Sequence, residues 1–252
     1  MLLENKVAII TGASRGIGES IALAYAAEGA TIVAASRKIE NLTILVENIT
    51  AQGGKAIAIP THTGDAEQCR ALVNRTIEAF GQVDILVNNA ATNPHFGPIL
   101  SAEASHWQKI FDVNVMGYFW LSKFAAENMQ QHGGGKIINM ASVTGMSPGP
   151  FMGVYSVSKA AVLMLTQALA QELGPYNIQV NAIAPGIIKT KFAEALWSNP
   201  SLNKQFVERT PLGRIGEPGD LVGAAVYLAS DYSRYHSGDV LILDGGNSTM
   251  GF

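Results

Sequence analysis

The chain has 252 residues, 48% of them hydrophobic and 15% charged, with 26 glycines and a formal net charge of −3 at pH 7. One α/β domain can use that length, and so apolar a composition suits a buried parallel sheet and excludes a disordered chain. The small negative charge is not the basic footprint of a protein that binds nucleic acid or an anionic membrane surface.

The single cysteine and the N-terminal residues indicate in which cellular compartment the protein is expected. Cys69 is the only cysteine, so no internal disulfide can form. Its place on an apolar helical stripe predicts a buried hydrophobic residue rather than a reactive thiol. Residues 1–6 do not lead a basic segment into an apolar one, and no uninterrupted apolar run reaches the ~18 residues of a membrane span. We therefore expect a soluble cytoplasmic protein that contacts no membrane.

The first predicted strand, residues 7–10, runs into the glycine-rich turn 11–18 (TGASRGIG), which a helix with an apolar face follows. The N–H groups at a helix N-terminus bind anions, and glycines let a pyrophosphate approach the backbone. The turn therefore predicts a dinucleotide site, with a tight structural turn as the alternative. Its candidate contacts are Gly12, Ser14, Arg15, Gly16, Ile17 and Gly18.

The end of the second predicted strand, residues 31–35, indicates which dinucleotide binds. Ser36, Arg37 and Lys38 follow it. A carboxylate there would accept a hydrogen bond from the 2′-hydroxyl of NAD, whereas an arginine favours the 2′-phosphate of NADP. Ser36 and Arg37, with Arg15 in the turn, therefore favour NADP. The alternative for Arg37 is a solvated loop cation.

Two further candidates for cofactor contact follow the third and fourth predicted strands. His62 precedes Asp65, which caps a predicted helix through Phe80. It is as compatible with an adenine contact as with a solvent-exposed loop. Asn89 and Ala90 follow the fourth strand, at the end of a parallel strand where ligand-binding loops begin.

Asn114 falls on the inward stripe of a predicted helix that contains Trp107, Phe111 and Tyr118. A buried amide needs hydrogen-bond partners. Asn114 is therefore either a structural bridge or a residue that holds water near the chemistry.

Tyr155 and Lys159 are four residues apart before a helix-forming run, so both project from one helix face. Their unperturbed pKa values are near ~10 and ~10.4. An ammonium group beside a phenol lowers the pKa of the phenol, which makes the pair a candidate proton donor or acceptor. For this spacing taken alone, a surface Tyr stacked on a Lys stem is the commoner arrangement.

Residues 190–214 follow the turn at Pro185 and Gly186 and show no regular pattern, with Phe192 and Trp197 among polar residues. This segment is predicted to be a helical lid over the substrate. The alternative is that its apolar side chains simply pack on a neighbouring helix.

Apolar runs of strand length alternate with helical periodicity along the whole chain, without a linker or a repeat. This alternation predicts a single doubly wound α/β domain, residues 1–252, of the Rossmann type, with a seven-stranded parallel sheet and helices on both faces. The predicted strands are residues 7–10, 31–35, 56–59, 84–87, 136–140, 178–183 and 240–243.

Five ordered motifs make the chain similar to the short-chain dehydrogenase/reductase family over essentially its whole length. They are Thr11-Gly12-x-x-x-Gly16-x-Gly18, Asn88-Asn89-Ala90, Asn114, Ser142 with Tyr155-x-x-x-Lys159, and Pro185-Gly186 before Thr190. Residues 93–97 (NPHFG) and 186–192 (GIIKTKF), with Trp197, most resemble the NADPH-dependent carbonyl and retinal reductase branch. His62 stands where many relatives have an adenine-contacting Asp, which leaves that contact open. Ala91 stands where they have Gly, and a side chain there would narrow the space near the cofactor.

The resemblance implies roles for particular residues. Tyr155 would be the general acid in reduction and the base in oxidation, and Ser142 would hydrogen-bond the substrate oxygen. Lys159 would bind the nicotinamide ribose and lower the Tyr155 pKa, and Asn114 would hold a water in a proton relay. The remaining implied cofactor contacts are Thr63, Asn89, Ala90, Pro185, Gly186, Ile188 and Thr190, besides Tyr155, Lys159 and those of the glycine turn, the second strand and His62. The implied substrate contacts are Ser142, Thr144, His95, Phe96, Phe192 and Trp197, and no metal is implied.

The implied function is hydride transfer between NADP(H) and a ketone, an aldehyde or a secondary alcohol, in a homotetramer. An alternative is a 3-oxoacyl-carrier-protein reductase, which would need a basic docking surface that is not visible as a cluster in the sequence. A dinucleotide-sensing regulator is the non-enzyme alternative, but it would not need Ser142, Tyr155, Lys159 and Asn114 together.

Overall fold

Runs of β-branched and other apolar residues form the strands of one parallel sheet, since both faces of such a sheet are covered by helices. The computed structural model describes residues 1–249. Its seven strands lie in the order β3-β2-β1-β4-β5-β6-β7, and all are parallel. They are β1 (Val7–Thr11), β2 (Thr31–Ser36), β3 (Lys55–Pro60), β4 (Ile85–Asn88), β5 (Gly135–Met140), β6 (Ile178–Pro185) and β7 (Val240–Leu243).

Helices connect the strands and cover both faces of the sheet. Alternate residues of β1 show the division, because Ala8 and Ile10 pack against α1, α2 and α9, whereas Val7 and Ile9 pack against α3 and α5. The helices are α1 (Gly16–Ala27), α2 (Ile39–Ala51), α3 (Ala66–Phe80), α4 (Ala104–Phe111), α5 (Gly117–Gln131), α6 (Gly153–Leu173), α7 (Glu194–Trp197), α8 (Pro200–Arg209) and α9 (Val222–Ala229). The doubly wound seven-stranded sheet predicted from the sequence is confirmed.

The strand order reverses at β1: β2 and β3 are added on one side of it, and β4 to β7 on the other. Connections on the two sides of such a switch point lead to opposite faces of the sheet, and their divergence opens a crevice at the carboxyl ends of the strands. The loops that follow β1 and β4 carry the predicted glycine turn and Asn89, so both border this crevice.

The structure bears on three predictions about individual helices. Asp65 caps α3 as expected, since its side chain accepts from the N–H groups of Glu67 and Gln68. The helix expected across residues 107–118 is not continuous, because residues 112–116 form a π-helical turn between α4 and α5. The irregular segment after β6 contains the short helices α7 and α8.

One helix is long and apolar enough by composition to cross a membrane, although polar residues interrupt its apolar run, as expected from the sequence. Within residues 1–249, the helical segment Gly153–Tyr176 meets that criterion by length and composition, and 44% of its most apolar window is buried inside the protein. Core helices pass the same test, and α6 packs against β6 and α5.

Candidate active site

The turn between β1 and α1 is shaped to approach a ligand closely. Gly12 and Gly16 have φ values of +65° and +62°, which favour glycine. A Cβ on Gly18 would lie 2.5 Å from the Gly12 carbonyl oxygen and 2.6 Å from Asn89 Nδ2. Arg15 occupies the N-cap of α1 without a side-chain hydrogen bond, so its side chain does not satisfy the first-turn N–H groups. This uncapped N-terminus fits the pyrophosphate of a dinucleotide.

Asn89 and Ala90 hold the glycine turn against β4. The Asn89 side chain donates to the Thr11 carbonyl at 2.9 Å and to the Gly12 carbonyl at 3.3 Å. The backbone N–H groups of Asn89 and Ala90 both donate to Thr11 Oγ1, at 2.9 and 3.1 Å. Of the other predicted residues here, Ile17 packs on the core and Arg15 is exposed. Ser14, in the turn itself, is half-buried.

At the end of β2, Arg37 and Lys38 are exposed and Ser36 is half-buried. The Ser36 hydroxyl donates to the Lys38 carbonyl at 3.2 Å. Within residues 1–249, neither Arg15 nor Arg37 takes part in a salt bridge. Their positive charges are therefore not neutralised by an ion pair in the described protein.

His62 is half-buried and held by two contacts. Its Nδ1 accepts from the Gly64 N–H at 3.1 Å, and its Nε2 lies 3.0 Å from Lys109 Nζ. The sequence did not indicate Lys109, which reaches this position from α4. The neighbouring Thr63 is buried and its carbonyl accepts from Cys69 Sγ at 3.3 Å. Burial raises the pKa of the Cys69 thiol to about 12, which fits the expected inert, buried cysteine.

Tyr155 and Lys159 lie on one face of α6 as predicted, and both are buried. Lys159 Nζ is 5.6 Å from the centre of the Tyr155 ring and donates to the Met140 carbonyl at 2.6 Å. Ser142, directly after β5, lies next to the Tyr155 side chain. Strand β5 and helix α6 thus bring three of the predicted catalytic residues together.

Ser142 is oriented by its neighbour Thr144. Its Oγ accepts from the Thr144 N–H at 3.2 Å and from Thr144 Oγ1 at 3.0 Å. A hydroxyl oxygen has two acceptor positions and one proton. Since both acceptor positions are used, the Ser142 proton remains available to an acceptor in the site.

The pKa of Tyr155 is raised in this structure, whereas a lowered pKa was expected beside Lys159. Burial raises the pKa of Tyr155 above its ordinary value of 10, and the neighbouring Ser142 side chain opposes that rise only in part. Burial also lowers the pKa of Lys159 to about 7. Both groups are desolvated, so burial outweighs their mutual attraction. Without a bound cofactor, Tyr155 is a protonated phenol and Lys159 is poised between its charged and neutral forms.

Asn114 is fully buried in the π-helical turn, a feature that often marks functional sites. Its Oδ1 accepts from the Thr92 N–H at 2.8 Å, and its Nδ2 donates to the Thr92 carbonyl and to Ser158 Oγ, each at 3.1 Å. Ser158 in turn donates to the Tyr155 carbonyl at 2.7 Å. The side chain of Asn114 is thus a structural bridge between the loop after β4 and the helix of Tyr155. Ser158 was missed, although it lies between the two residues of the Tyr-Lys motif.

The loop after β6 returns to the glycine turn. A Cβ on Gly16 would lie 3.2 Å from Thr190 Cγ2, so Thr190 borders the pyrophosphate cradle. Gly186 donates to the Leu243 carbonyl at 3.0 Å, and Ile188 is buried and bridges to Gly216. Pro185 is the last residue of β6. These backbone bonds fix the direction of the loop.

We call three half-exposed aromatic residues the aromatic mouth: Phe192, which contacts Tyr155, and the contacting pair Phe96 and Phe151, of which Phe151 lies four residues before Tyr155. The Phe192 ring centre lies 5.8 Å from that of Tyr155, and the Phe96 ring centre lies 6.0 Å from that of Phe151. Phe96 and Phe192 were predicted substrate contacts. Phe151 was missed because a lone aromatic residue between Pro150 and Met152 follows no periodic pattern.

The other two predicted substrate residues have mainly structural contacts. The Trp197 indole N–H donates to the Thr190 carbonyl at 2.8 Å, so Trp197 braces the segment that carries Phe192. His95 Nε2 lies 3.0 Å from Ser101 Oγ, and its ring centre lies 5.1 Å from that of His106. Of the two aromatic residues predicted for the lid, Phe192 is the one whose ring contacts the Tyr155 ring. In the described part of the chain, no group of three or more His, Cys, Asp or Glu side chains could hold a metal ion.

Comparisons with known proteins agree with this site. A family model described as enoyl-(acyl carrier protein) reductase matches residues 12–248. The dehydrogenase/reductase SDR family member 4 of Sus scrofa is 40% identical over 98% of this chain and 88% of its own. Tropinone reductase-like 3 of Erythroxylum coca is 37% identical over 96% of this chain and 93% of its own.

Solved structures give the same result. A gluconate 5-dehydrogenase from Burkholderia cenocepacia, in complex with NADP and tartrate, superposes with a TM-score of 0.95 at 34% identity, covering 99% of this chain and 97% of its own. A short-chain type dehydrogenase/reductase from Mycobacterium marinum gives a TM-score of 0.92 at 38% identity, with 98% and 96% covered. Fold, site and relatives together define a nicotinamide-dependent oxidoreductase. The chain belongs to the short-chain dehydrogenase/reductase family, which confirms the resemblance carried by its motifs.

Proposed function

We propose that the protein is an NADP(H)-dependent reductase of ketones or aldehydes, which can also run in the direction of secondary alcohol oxidation. The observation that carries this proposal is the buried Tyr155 phenol beside Ser142 and Lys159, with the half-exposed Phe192 ring in contact with it. A phenol of raised pKa is in the acid form that carbonyl reduction needs.

Tyr155 and Ser142 supply the two hydrogen bonds that a carbonyl oxygen needs as it gains charge. The Ser142 proton is directed into the site because Thr144 occupies both acceptor positions of its Oγ. Bound NADPH supplies the hydride that adds to the carbonyl carbon. The Tyr155 O–H donates its proton to the carbonyl oxygen, so the product is a neutral alcohol and the phenolate is left behind.

Lys159 stabilises that phenolate. Burial lowers the pKa of Lys159 to about 7, so the neutral amine and the ammonium form are both populated near neutral pH. As negative charge develops on Tyr155, the neighbouring amine gains affinity for a proton, since an opposite charge at short range favours the charged form. Lys159 therefore responds to the change in charge on Tyr155 that accompanies proton transfer.

Several observations support NADP as the cofactor. The carboxyl end of β2 carries the hydroxyl of Ser36 and the exposed cations Arg37 and Lys38. An arginine at this place suits a 2′-phosphate, and the hydroxyl does not repel it. The Burkholderia cenocepacia relative was solved with NADP. The glycine cradle and the uncapped start of α1 would hold the pyrophosphate.

Steady-state assays test this proposal. NADPH oxidation is measured with an α-diketone, an acetoacetyl thioester and no substrate, and NADP+ reduction is measured with gluconate. We expect the diketone to give the highest kcat/KM. A preference for the thioester would favour an acyl-carrier-protein reductase, and a preference for gluconate would favour the activity of the Burkholderia relative. If the protein binds the cofactor but turns over none of these substrates, the dinucleotide-sensing regulator becomes the favoured alternative.

We also propose a homotetramer. Helix α6 has exposed apolar side chains on the side away from the sheet, including Val157 at 41% and Met164 at 64% relative exposure. Apolar surface of this kind on a core helix is suited to pairing with the same helix of another copy. Light scattering at micromolar concentration should give four times the mass of the chain, and a monomer would contradict the assignment.

A further inference from the structure

Phe151 has a backbone conformation that disfavours its own side chain. Within residues 1–249, three residues other than glycine have a positive φ, namely Asn5, Phe151 and Asn177. Asparagine visits this region relatively easily, whereas a bulky residue there is an outlier. The φ of Phe151 is +60°, so its Cβ is crowded against the backbone.

The folded protein does not compensate this strain by burying the side chain. Phe151 is 55% exposed, so its ring gains little from the hydrophobic core. Its polar backbone contact is the carbonyl, which accepts from the Gly97 N–H at 3.0 Å, next to the bridge between Gly97 and Met152. A residue without a ring would make the same backbone bond. The side chain therefore has a purpose other than folding, as is common where strain persists at functional sites.

The loop of Phe151 is joined to the catalytic residues at both ends. A Cβ on Gly149 would lie 3.3 Å from Thr144 Cγ2, and Thr144 is hydrogen-bonded to Ser142. On the other side, Met152 is the N-cap of α6, which carries Tyr155 in its first turn. Phe151 thus lies in the chain segment that joins Ser142 to Tyr155, and its side chain is exposed.

We propose that Phe151 is a specificity-determining residue whose ring, together with Phe96 and Phe192, contacts the apolar group attached to the reacting carbonyl. This inference rests on the proposed carbonyl reduction. The Phe151 ring packs against Phe96, 6.0 Å away between ring centres, and the Phe192 ring centre lies 5.8 Å from that of Tyr155. Aromatic rings arranged in this way favour a flat or bulky apolar substituent over a methyl group.

Three variants separate the ring from the backbone. Phe151→Ala removes the ring and keeps the strain, Phe151→Gly removes both, and Phe151→Tyr keeps the ring. The substrates are a phenyl-substituted α-diketone and its dimethyl counterpart. We expect the Ala and Gly variants to raise KM for the phenyl diketone about 3- to 10-fold while kcat and the dimethyl KM change less than about twofold. The Tyr variant should behave as the wild type.

Thermal unfolding gives a readout independent of activity. Glycine adopts a positive φ without crowding, so the Tm of Phe151→Gly should exceed that of Phe151→Ala by about 2–4 °C. Equal Tm values, or KM changes that are the same for both diketones, would overturn the inference. If the Phe151→Ala and Phe151→Gly variants have a lower Tm than the wild type but the same KM for both diketones, Phe151 only supports the loop and the inference is wrong. If the wild type reduces neither diketone, the proposed function fails and this inference fails with it; if the wild type is active and the variants match it, this inference alone fails.

Discussion

The catalytic centre and the aromatic mouth meet at the contact between Tyr155 and Phe192, but they are built differently. In the centre, Asn114 and Lys159 are 0% and 1% exposed, and each is fixed by hydrogen bonds to neighbouring backbone. In the mouth, Phe96, Phe151 and Phe192 are 53%, 55% and 48% exposed and lie on loops. The centre is therefore determined by the core of the fold, whereas the mouth can change without disturbing it.

A buried polar network reinforces the centre. Asn88 and Asn139 are paired in register on β4 and β5, and Asn88 Nδ2 donates to Asn139 Oδ1 at 2.9 Å. Asn139 Nδ2 donates to Thr166 Oγ1 on α6 at 3.0 Å. These bonds tie two strands to the helix that carries Tyr155 and Lys159. Buried networks of this kind favour a single arrangement, because a displaced member would leave polar groups unpaired.

The largest expected effect comes from the centre. Tyr155→Phe keeps the ring and its packing but removes the proton that reaches the substrate oxygen. We expect kcat to fall about 10²- to 10⁴-fold, the usual contribution of general acid–base catalysis. NADPH affinity, measured by fluorescence titration, should stay close to that of the wild type. A variant with more than about a third of wild-type kcat would remove Tyr155 from this role.

The difference between the two regions also explains what the sequence could predict. The ends of parallel strands meet at one edge of the sheet, so the glycine turn, Asn89 and Ser142 could be placed from apolar runs alone. Helical spacing placed Tyr155, Lys159 and the inward Asn114. Phe151 and Lys109 could not be found, because their positions depend on loop conformation and on contacts between distant segments. The direction of the Tyr155 pKa shift was also missed, since burial is a property of the assembled fold.

The second prediction tests cofactor preference, which we assign to the residues at the end of β2. The wild type should prefer NADPH over NADH by about 10- to 100-fold in kcat/KM, because charge-assisted bonds to a phosphate contribute ~1.5–3 kcal/mol. Ser36→Asp should reverse this preference, since a carboxylate repels the 2′-phosphate and accepts from a free 2′-hydroxyl. Ser36→Asn is the matched control, of similar shape but uncharged, and should retain NADPH preference. Equal efficiency of both cofactors in the wild type would show that Arg37 does not reach the phosphate.

The third prediction concerns the stability of the cofactor-free protein. Burial lowers the pKa of Lys159 from 10.5 to about 7, so between these values the unfolded chain binds more protons than the folded one. The Lys159 contribution to stability therefore rises with pH across this window, by at most about 1.4 kcal/mol per pH unit, and is least favourable below pH 7. Lys159→Met removes this penalty along with activity.

The measurement is Tm against pH for the wild type and Lys159→Met. The variant should have the higher Tm near pH 6, and the gap should narrow from about pH 7 to 9 by roughly 3–6 °C per pH unit at most. Above pH 10 the raised pKa values of Tyr25, Tyr118 and Tyr155 make folding less favourable in both proteins, since only the unfolded chain loses those protons. A gap that does not depend on pH would contradict the lowered pKa of Lys159.

The smallest expected effect separates bracing from substrate contact within the lid segment. Trp197→Phe keeps an aromatic ring and removes the indole N–H that donates to the Thr190 carbonyl at 2.8 Å. A hydrogen bond of this kind contributes about 0.5–1.5 kcal/mol, so Tm should fall by roughly 1–6 °C. KM should stay nearly constant for every diketone, because the ring centre of Phe192, and not that of Trp197, lies close to Tyr155. Phe192→Ala is the comparison, and it should raise KM for the phenyl diketone with little loss of stability, since its side chain is half-exposed. If instead KM changes in Trp197→Phe and not in Phe192→Ala, then Trp197 contacts the substrate and Phe192 does not.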